Sequence, residues 1–496
     1  MKDMTLERIT KACGGQLVLP SEGERSTISA SKEIAGAVLD SRQVQKDFLF
    51  FAVKGEKTDG HGYIGDVFKK GAACVITEKK PEEVKEQFGT DLACWGAYIV
   101  VPDSLQALKQ IAAFYRSTLS IPIVGITGSV GKTSTKELIA AVLAQKYCVL
   151  KTEGNFNNEI GLPLTILRIR KEHTAAVVEM GISDFHEMTR LSAIARPNIG
   201  VITNIGQCHL ENLGSRDGIF KAKTEMFANL SEGARVCLNG EDDKLSAVKE
   251  VNGLPPFFFG LGTNPEEEVW AEEITDNGLF GSDALLKFKD GGEQKIHIPL
   301  PGAHMVINAA AAACVGKILG LTGEQIAEGI ASVRSLQGRS NLIQGKHCMI
   351  IDDCYNANPV SMKAAIRLLA GTGSTAGQAE PTAIGKTGAK VAILGDMFEL
   401  GENSDALHEE VGAFAAQENL DRLIFIGENA YHIYKSAKAL SKASAFSNVS
   451  WYPEKEQFFA ALEKDRKKLL PDGSTVLVKA SHSMDFKQIV EKLRNE

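Results

Sequence analysis

Residues Ile123 to Ser134 read Ile-Val-Gly-Ile-Thr-Gly-Ser-Val-Gly-Lys-Thr-Ser: an apolar run, a Gly-rich turn and the start of a helix-forming stretch, with no gap between them. That order is the context a phosphate-binding P-loop requires, and it commits this part of the chain to a strand–loop–helix unit in a parallel sheet. Backbone N–H groups of Gly128, Ser129, Val130 and Gly131, and of the helix start at Lys132, Thr133 and Ser134, can surround phosphate oxygens. Lys132 would neutralise the β- and γ-phosphates, and the Thr133 hydroxyl would ligate Mg²⁺. The strict GxxxxGK[ST] pattern fails at one position, where Ile126 takes the place of the first Gly. The bland alternative is an ordinary Gly-rich strand–helix turn, which leaves Lys132 and Thr133 without a purpose. A P-loop by itself serves kinases, GTPase switches, motors and ligases alike.

The surrounding pattern extends the parallel sheet. TAAVVEMG and NIGVITNIG are buried-strand sequences that alternate with helical ones. Between 256 and 300 the pattern changes to FFFGLG, VWAEEI, ALLKFK and KIHIPL, which reads as an antiparallel meander appended to that sheet. From about 337 onward, CMIIDD, VAILGD, RLIFIGE and TVLVKAS alternate with helices, as in a Rossmann-like domain without GxGxxG. Before residue 102, short β-type runs surround the loop KGEKTDGHGY and form a small α/β domain with no nucleotide motif. A chain of 496 residues exceeds one hydrophobic core. The expectation is an α/β protein of three domains: 1–102, a central P-loop parallel sheet over 103–336, and 337–496. The stretch 371–390, rich in Gly, Thr and Ala, reads as a surface loop without chemistry.

Composition excludes several classes. The net charge of −7 argues against a nucleic-acid-binding surface. Nine scattered cysteines without CxxC spacing argue against a zinc ribbon or disulfide framework and for a reduced compartment. MKDMTLERIT carries charge where a signal peptide has its apolar core, and no run approaches the length of a membrane span. The expected protein is cytoplasmic, monomeric and not inserted in a membrane.

Two further residues fall near the carboxyl ends of strands, where parallel sheets bind ligands: Glu179, in VVEMG, and His209, in TNIGQCHL. Glu179 could offer Mg²⁺ an oxygen, although a lone strand-end Glu is usually just solvated. A lone His209 would equally be a structural histidine. Lys223, in the helical KAKTEMF, bears the wrong charge for a metal site unless its amine is neutralised and converted to an anion.

The stretches GITGSVGKTS, EGNFNNEIGLPLT, VVEMG, TNIGQCHLENLGS and KAKTEMF resemble the Mur ligases, enzymes that extend the peptide of the bacterial cell-wall precursor. DSR at Asp40–Arg42, LFFAVKGEKTDGH, IDDCYNANPVSM, LGDMFELG and LVKASHSM resemble the branch that adds a dipeptide, and the likeness runs in order from about 36 to 490. The resemblance implies a UDP-substrate domain, an ATPase domain and a mobile ligase domain. The implied substrates are UDP-MurNAc-tripeptide, D-alanyl-D-alanine and ATP, with two Mg²⁺ ions and an N-carboxylated Lys223. It places Lys132, Thr133 and Glu179 at the ATP-bound metal, and His209 and Lys223 at the second. Asn155, Asn157 and Asn158 would line the phosphate and acyl-phosphate site, and His304, Asn308 and Arg339 would contact the nucleotide. Ser41, Arg42, Lys54, Gly55, Asp59 and His61 would hold the UDP-linked substrate, and Asp352, Asp353, Asn356 and Asn358 would help bind the amine. The family's GxHNxxN is altered here by Met305, and its KGSRS by Ala480 and His482. The Asp-Asn-Pro-Arg of the diaminopimelate-adding sister is absent, and Asn356-Ala-Asn-Pro stands there instead.

Two other readings compete. A folylpolyglutamate-synthetase-like ligase shares the central chemistry but lacks a dedicated domain for DSR and TDGH. A P-loop regulatory ATPase leaves His209 and Lys223 unexplained.

Overall fold

A computed structural model describes residues 1–20, 28–56, 58–88, 96–372, 388–440 and 448–495. Most of the Gly-, Thr- and Ala-rich stretch expected to be a surface loop, 373–387, lies outside the described residues. Among the described residues the strands form three sheets, in an α/β fold of three domains.

The central sheet runs Glu293–Ile298, Ser282–Phe288, Glu267–Asp276, Phe257–Gly260, Arg235–Asn239, Ile199–Ile202, Ile123–Thr127, Ala175–Glu179, Val149–Lys151. The P-loop strand Ile123–Thr127 sits inside it, paired in parallel with Ala175–Glu179 on one side and Ile199–Ile202 on the other. All five of its residues are buried, which explains an apolar run with no alternation. The following helix, Lys132–Leu143, is fixed to the sheet by Leu138, Ile139, Val142 and Leu143, all fully buried. Each contributes about 1.5–3 kcal/mol relative to exposure. The expected meander is present but begins later than FFFGLG. Phe257–Gly260 pairs in parallel with both neighbours, and the antiparallel part starts at the pairing of Glu267–Asp276 with Ser282–Phe288. Short apolar runs carry no direction of their own, so spacing could not separate the two arrangements.

The first sheet has Gly36–Val38, Phe48–Phe51, Cys74–Thr77 and Ala97–Val100 in parallel, with Gln16–Val18 antiparallel at its edge. Helix Ser104–Ser117 joins it to the central domain. Asp103 caps this helix, accepting from the N–H groups of Leu105 and Gln106. Its Leu108, Ile111 and Tyr115 are fully buried in a core shared by both domains, and the Tyr115 hydroxyl donates to the Ile169 carbonyl at 2.7 Å.

In the third sheet Cys348–Asp352, Ser474–Lys479, Lys390–Gly395, Arg422–Ile426 and Val449–Tyr452 are parallel, and Asn341–Gln344 is antiparallel at one edge. The two edge strands, Asn341–Gln344 and Val449–Tyr452, lack fully buried faces and carried no clear strand pattern. Among the described residues no helix is long and apolar enough to cross a membrane.

Candidate active site

The P-loop follows its strand with two glycines in backbone conformations that side chains resist. Gly128 has φ +149°, and a Cβ there would lie 1.9 Å from the Thr203 hydroxyl; Gly131 has φ +80° and begins the helix. Substituting Gly128 by Ala is expected to destabilise the protein by about 2 kcal/mol through overpacking and strain, and to weaken nucleotide binding. Denaturant melts and nucleotide titrations measure both, and an unchanged melt would show that the loop yields without cost.

The loop is stapled to the exit of the neighbouring strand. Ser129 N–H donates to the Asn204 carbonyl (3.0 Å), Val130 N–H to Asn204 Oδ1 (3.0 Å), and the Thr203 hydroxyl to the Val130 carbonyl (2.6 Å). Two of the amides expected to hold phosphate are thus already paired. At the helix start the N–H groups of Gly131, Lys132, Thr133 and Ser134 have no acceptor within the helix and remain open to an anion. Lys132 Nζ lies over this loop, donating to the Gly128 carbonyl at 2.7 Å.

The Thr133 hydroxyl donates to Glu179 Oε2 at 3.0 Å, and Asn157 Nδ2 donates to Oε1 at 2.9 Å. Glu179, 2% exposed, is therefore oriented from both sides. A hydroxyl and a carboxylate so placed are hard oxygen donors suited to Mg²⁺, with phosphate oxygens to complete the shell. Asn157 and Asn158 line the same cavity as the P-loop, whereas Asn155, exposed, does not.

That cavity holds about 530 Å³ and lies between the central and third domains. Its walls bring together Ser129 to Ser134, Glu179, His209, His304, Asn308, Arg339, Asp353, Asn356 and Asn358. On the third-domain side Asp353 Oδ2 pairs with the buried Lys479 Nζ at 2.6 Å, and that amine also donates to the Asn356 carbonyl. The Arg339 guanidinium stacks 3.9 Å above the Tyr355 ring. Asn358 Oδ1 is occupied as the cap of helix Pro359–Gly371. Asp352 does not line the cavity; its Oδ2 accepts from the Gly338 N–H. Asn308 sits against Gly131, and its amide reaches the sulfur of Met305, which also lines the cavity, at 3.5 Å.

Lys223 is fully buried, and among the described residues its Nζ has no hydrogen-bond partner. Its pKa is lowered to about 8, chiefly by burial, with the Cys208 thiol opposing and the Lys132 charge adding a smaller lowering. A lone buried amine costs stability unless it gains a partner or loses its charge. The Cys208 thiol that acts on this amine belongs to the residue before His209 in sequence, but Lys223 itself does not line the cavity. Conversion to an anion would supply an oxygen donor, and the donor set then fits a divalent ion.

His209 lies at the domain boundary. Its Nδ1 is 2.6 Å from Glu399 Oε2 of the third domain, a charge contact without hydrogen-bond alignment, and the imidazole holds the Glu399 carboxyl below its usual pKa.

The first-domain candidates are not in the cavity. Asp59 Oδ1 accepts from the His61 backbone N–H (3.0 Å) and contacts its Nδ1 (2.6 Å), Lys54 bridges to Asp59, and Gly55 N–H donates to the Thr58 carbonyl. The Ser41 carbonyl accepts from Lys70, and exposed Arg42 is paired with Asp40. Sequence reasoning missed Asn204, Tyr355, Lys479 and Glu399. It also missed Glu159, which lines the cavity and is held between Lys109 and Arg190.

The sequence matches three family models: Mur ligase family, catalytic domain (33–116), Mur ligase middle domain (126–316) and Mur ligase, glutamate ligase domain (338–482). A UDP-N-acetylmuramoyl-tripeptide–D-alanyl-D-alanine ligase of Bacillus subtilis (strain 168) is 36% identical over 461 residues, 93% of each chain. The enzyme of that name from Escherichia coli (strain K12) is 31% identical over 100% of this chain and 99% of its own. Among solved structures, MurF from Acinetobacter baumannii superposes with a TM-score of 0.82 at 28% identity, covering 99% of this chain and 98% of that one. MurF ligase from Thermotoga maritima in complex with ADP gives a TM-score of 0.73 at 28% identity, covering 92% and 97%. With a P-loop, a buried lysine and an interdomain cavity at the positions these matches span, the chain belongs to the Mur ligase family.

Proposed function

We propose that this chain joins D-alanyl-D-alanine to UDP-MurNAc-tripeptide with cleavage of ATP, in the synthesis of the peptidoglycan precursor. The observation that carries this reading is end-to-end likeness to ligases named for that reaction. The cavity supports it, with Lys132, Thr133 and Glu179 facing Asp353 and Lys479. In this reading residues 1–102 bind the UDP-linked substrate, 103–336 bind ATP, and 337–496 bring the amine.

An oxygen of the tripeptide carboxylate attacks the γ-phosphorus, the bond to the β-phosphate oxygen breaks, and ADP leaves. Lys132 and the amides of Gly131 to Ser134 stabilise charge on the phosphoryl group as it moves. The amine of D-alanyl-D-alanine then attacks the acyl carbon; phosphate leaves with the C–O electron pair and takes up the proton the amine gives off. Acyl phosphates hydrolyse readily, so the third domain's wall over the P-loop serves to keep water out. Two Mg²⁺ ions, one held by Thr133 and Glu179 and one by His209 and Lys223, would supply Lewis-acid stabilisation of the phosphoryl and acyl oxygens. For that role the neutral Lys223 amine adds to the carbon of CO₂ and loses a proton, leaving a carbamate anion. His304, Asn308 and Arg339 would contact the nucleotide, and Asp353 and Asn356 the incoming amine.

Glu179→Ala is expected to weaken nucleotide binding and turnover together, whereas His209→Ala lowers kcat on the order of 10²-fold with nucleotide affinity kept. Nucleotide titration beside steady-state kinetics separates the two, and identical profiles would contradict two distinct metals. The function itself is tested by ADP release, which a ligase performs rapidly only with both acceptor and amine present. Equal release without either would favour a regulatory ATPase.

A further inference from the structure

The contact between His209 and Glu399 joins two domains through residues 190 positions apart in sequence, and both have left-handed backbones. His209 has φ 52° and Glu399 has φ 62°. Such conformations cost non-glycine residues on the order of 1 kcal/mol or more each. A half-exposed ion pair returns about 0–1 kcal/mol, so stability does not explain this arrangement. Glu399, with its side chain 57% exposed, nonetheless reaches His209 at 2.6 Å. The surroundings hold the pair in place from both sides. Leu210, next to His209, packs into the third domain's core, and Gly401, two residues past Glu399, approaches the backbone of Glu211 so closely that a Cβ would lie 3.3 Å from its Cα.

We propose that Glu399 is a positioning residue that couples docking of the third domain to the chemistry of His209. Its carboxylate lies 2.6 Å from Nδ1 of the imidazole, out of hydrogen-bond alignment as it stands; a small rotation of the exposed Glu399 side chain makes it the acceptor for Nδ1–H, which fixes that tautomer and leaves Nε2 as the lone-pair nitrogen. Carboxylates behind metal-binding histidines act in this way, and their loss costs 10–100-fold in metal affinity. Here the carboxylate comes from a different domain, so His209 reaches its binding form only when that domain is docked. A reaction centre completed by docking would not activate the carboxylate while the cavity is open to water. The metal part of this inference rests on the second-metal role proposed for His209; the tautomer part does not.

The test uses the full chain labelled with ¹⁵N-histidine, free of metal, with the His209 signal assigned by its loss in His209→Ala. Wild-type protein should show the Nδ1–H tautomer, Glu399→Gln should keep it because an amide oxygen still accepts, and Glu399→Ala should shift His209 towards Nε2–H. In Mn²⁺ titrations followed by electron paramagnetic resonance with nucleotide present, Glu399→Ala should weaken the second ion by about 10–100-fold. Turnover should fall by the same factor with KM for ATP unchanged, and Glu399→Ala should add nothing to His209→Ala. A wild-type Nε2–H tautomer, or one unchanged in Glu399→Ala, would overturn the positioning role. An altered tautomer with unchanged Mn²⁺ affinity would overturn the coupling to metal and count against the proposed role of His209.

Discussion

Lys223→Ala protein is expected to fold, bind ATP and lose turnover on the order of 10³-fold, because the change removes the anionic oxygen proposed for the second metal. The side chain is wholly buried with an unpartnered amine, so truncation relieves a penalty as well as leaving a cavity, and a folded variant is expected. Formate or acetate should restore part of the activity by placing a carboxylate in the vacated space. Protein loaded with ¹³C-bicarbonate should show a carbamate carbon resonance that Lys223→Ala lacks. The pH dependence has a fixed sign. Only the neutral amine adds to CO₂, and its pKa is lowered to about 8. At constant dissolved CO₂, the rate of reactivation of decarboxylated enzyme should therefore rise with pH and level off above about 8. Full activity in Lys223→Ala, or a rate flat through that range, would remove the carbamate and leave the family assignment intact.

Lys132→Ala is expected to lower kcat on the order of 10²–10³-fold, as for loss of a donor aimed at developing transition-state charge. Its amine lies over the P-loop, anchored on the Gly128 carbonyl, and the helix it opens is held by buried Leu138, Ile139, Val142 and Leu143. The fold should therefore survive, with a melt close to wild type. Formate and acetate should give no rescue, because the missing group is a cation. Rescue of both variants by the same acids would mean that the acids act elsewhere.

The P-loop and the alternation of strands and helices were legible in the chain because both rest on local pattern: a buried apolar run, glycines at positive φ and a helix start. The pairing direction of Phe257–Gly260 was not, since a four-residue apolar run fits either orientation. The edge strands Asn341–Gln344 and Val449–Tyr452 were missed for want of a fully buried face. At the site, residue types pointed to Lys132, Thr133 and Glu179, but not to how Asn157 holds the carboxylate from its other side. The use of the Ser129 and Val130 amides by Asn204 follows from a strand far along the chain and left no local signal. Lys223 was singled out only through the family resemblance. Its burial and unpartnered amine, which give that choice a physical basis, are tertiary facts. Glu399 carried no signal beyond its place in LGDMFELG, because its meaning depends on the domain it meets.

The central claim is that the chain forms an amide bond between a specified acid and a specified amine at the expense of ATP. Mass spectrometry of a reaction containing UDP-MurNAc-tripeptide, D-alanyl-D-alanine, ATP and Mg²⁺ tests it directly. The expected product is UDP-MurNAc-pentapeptide, with ADP and phosphate formed in equal amounts to it, and none forms when D-alanyl-D-alanine is omitted. ATP consumed to ADP and phosphate with both substrates recovered unjoined would contradict it.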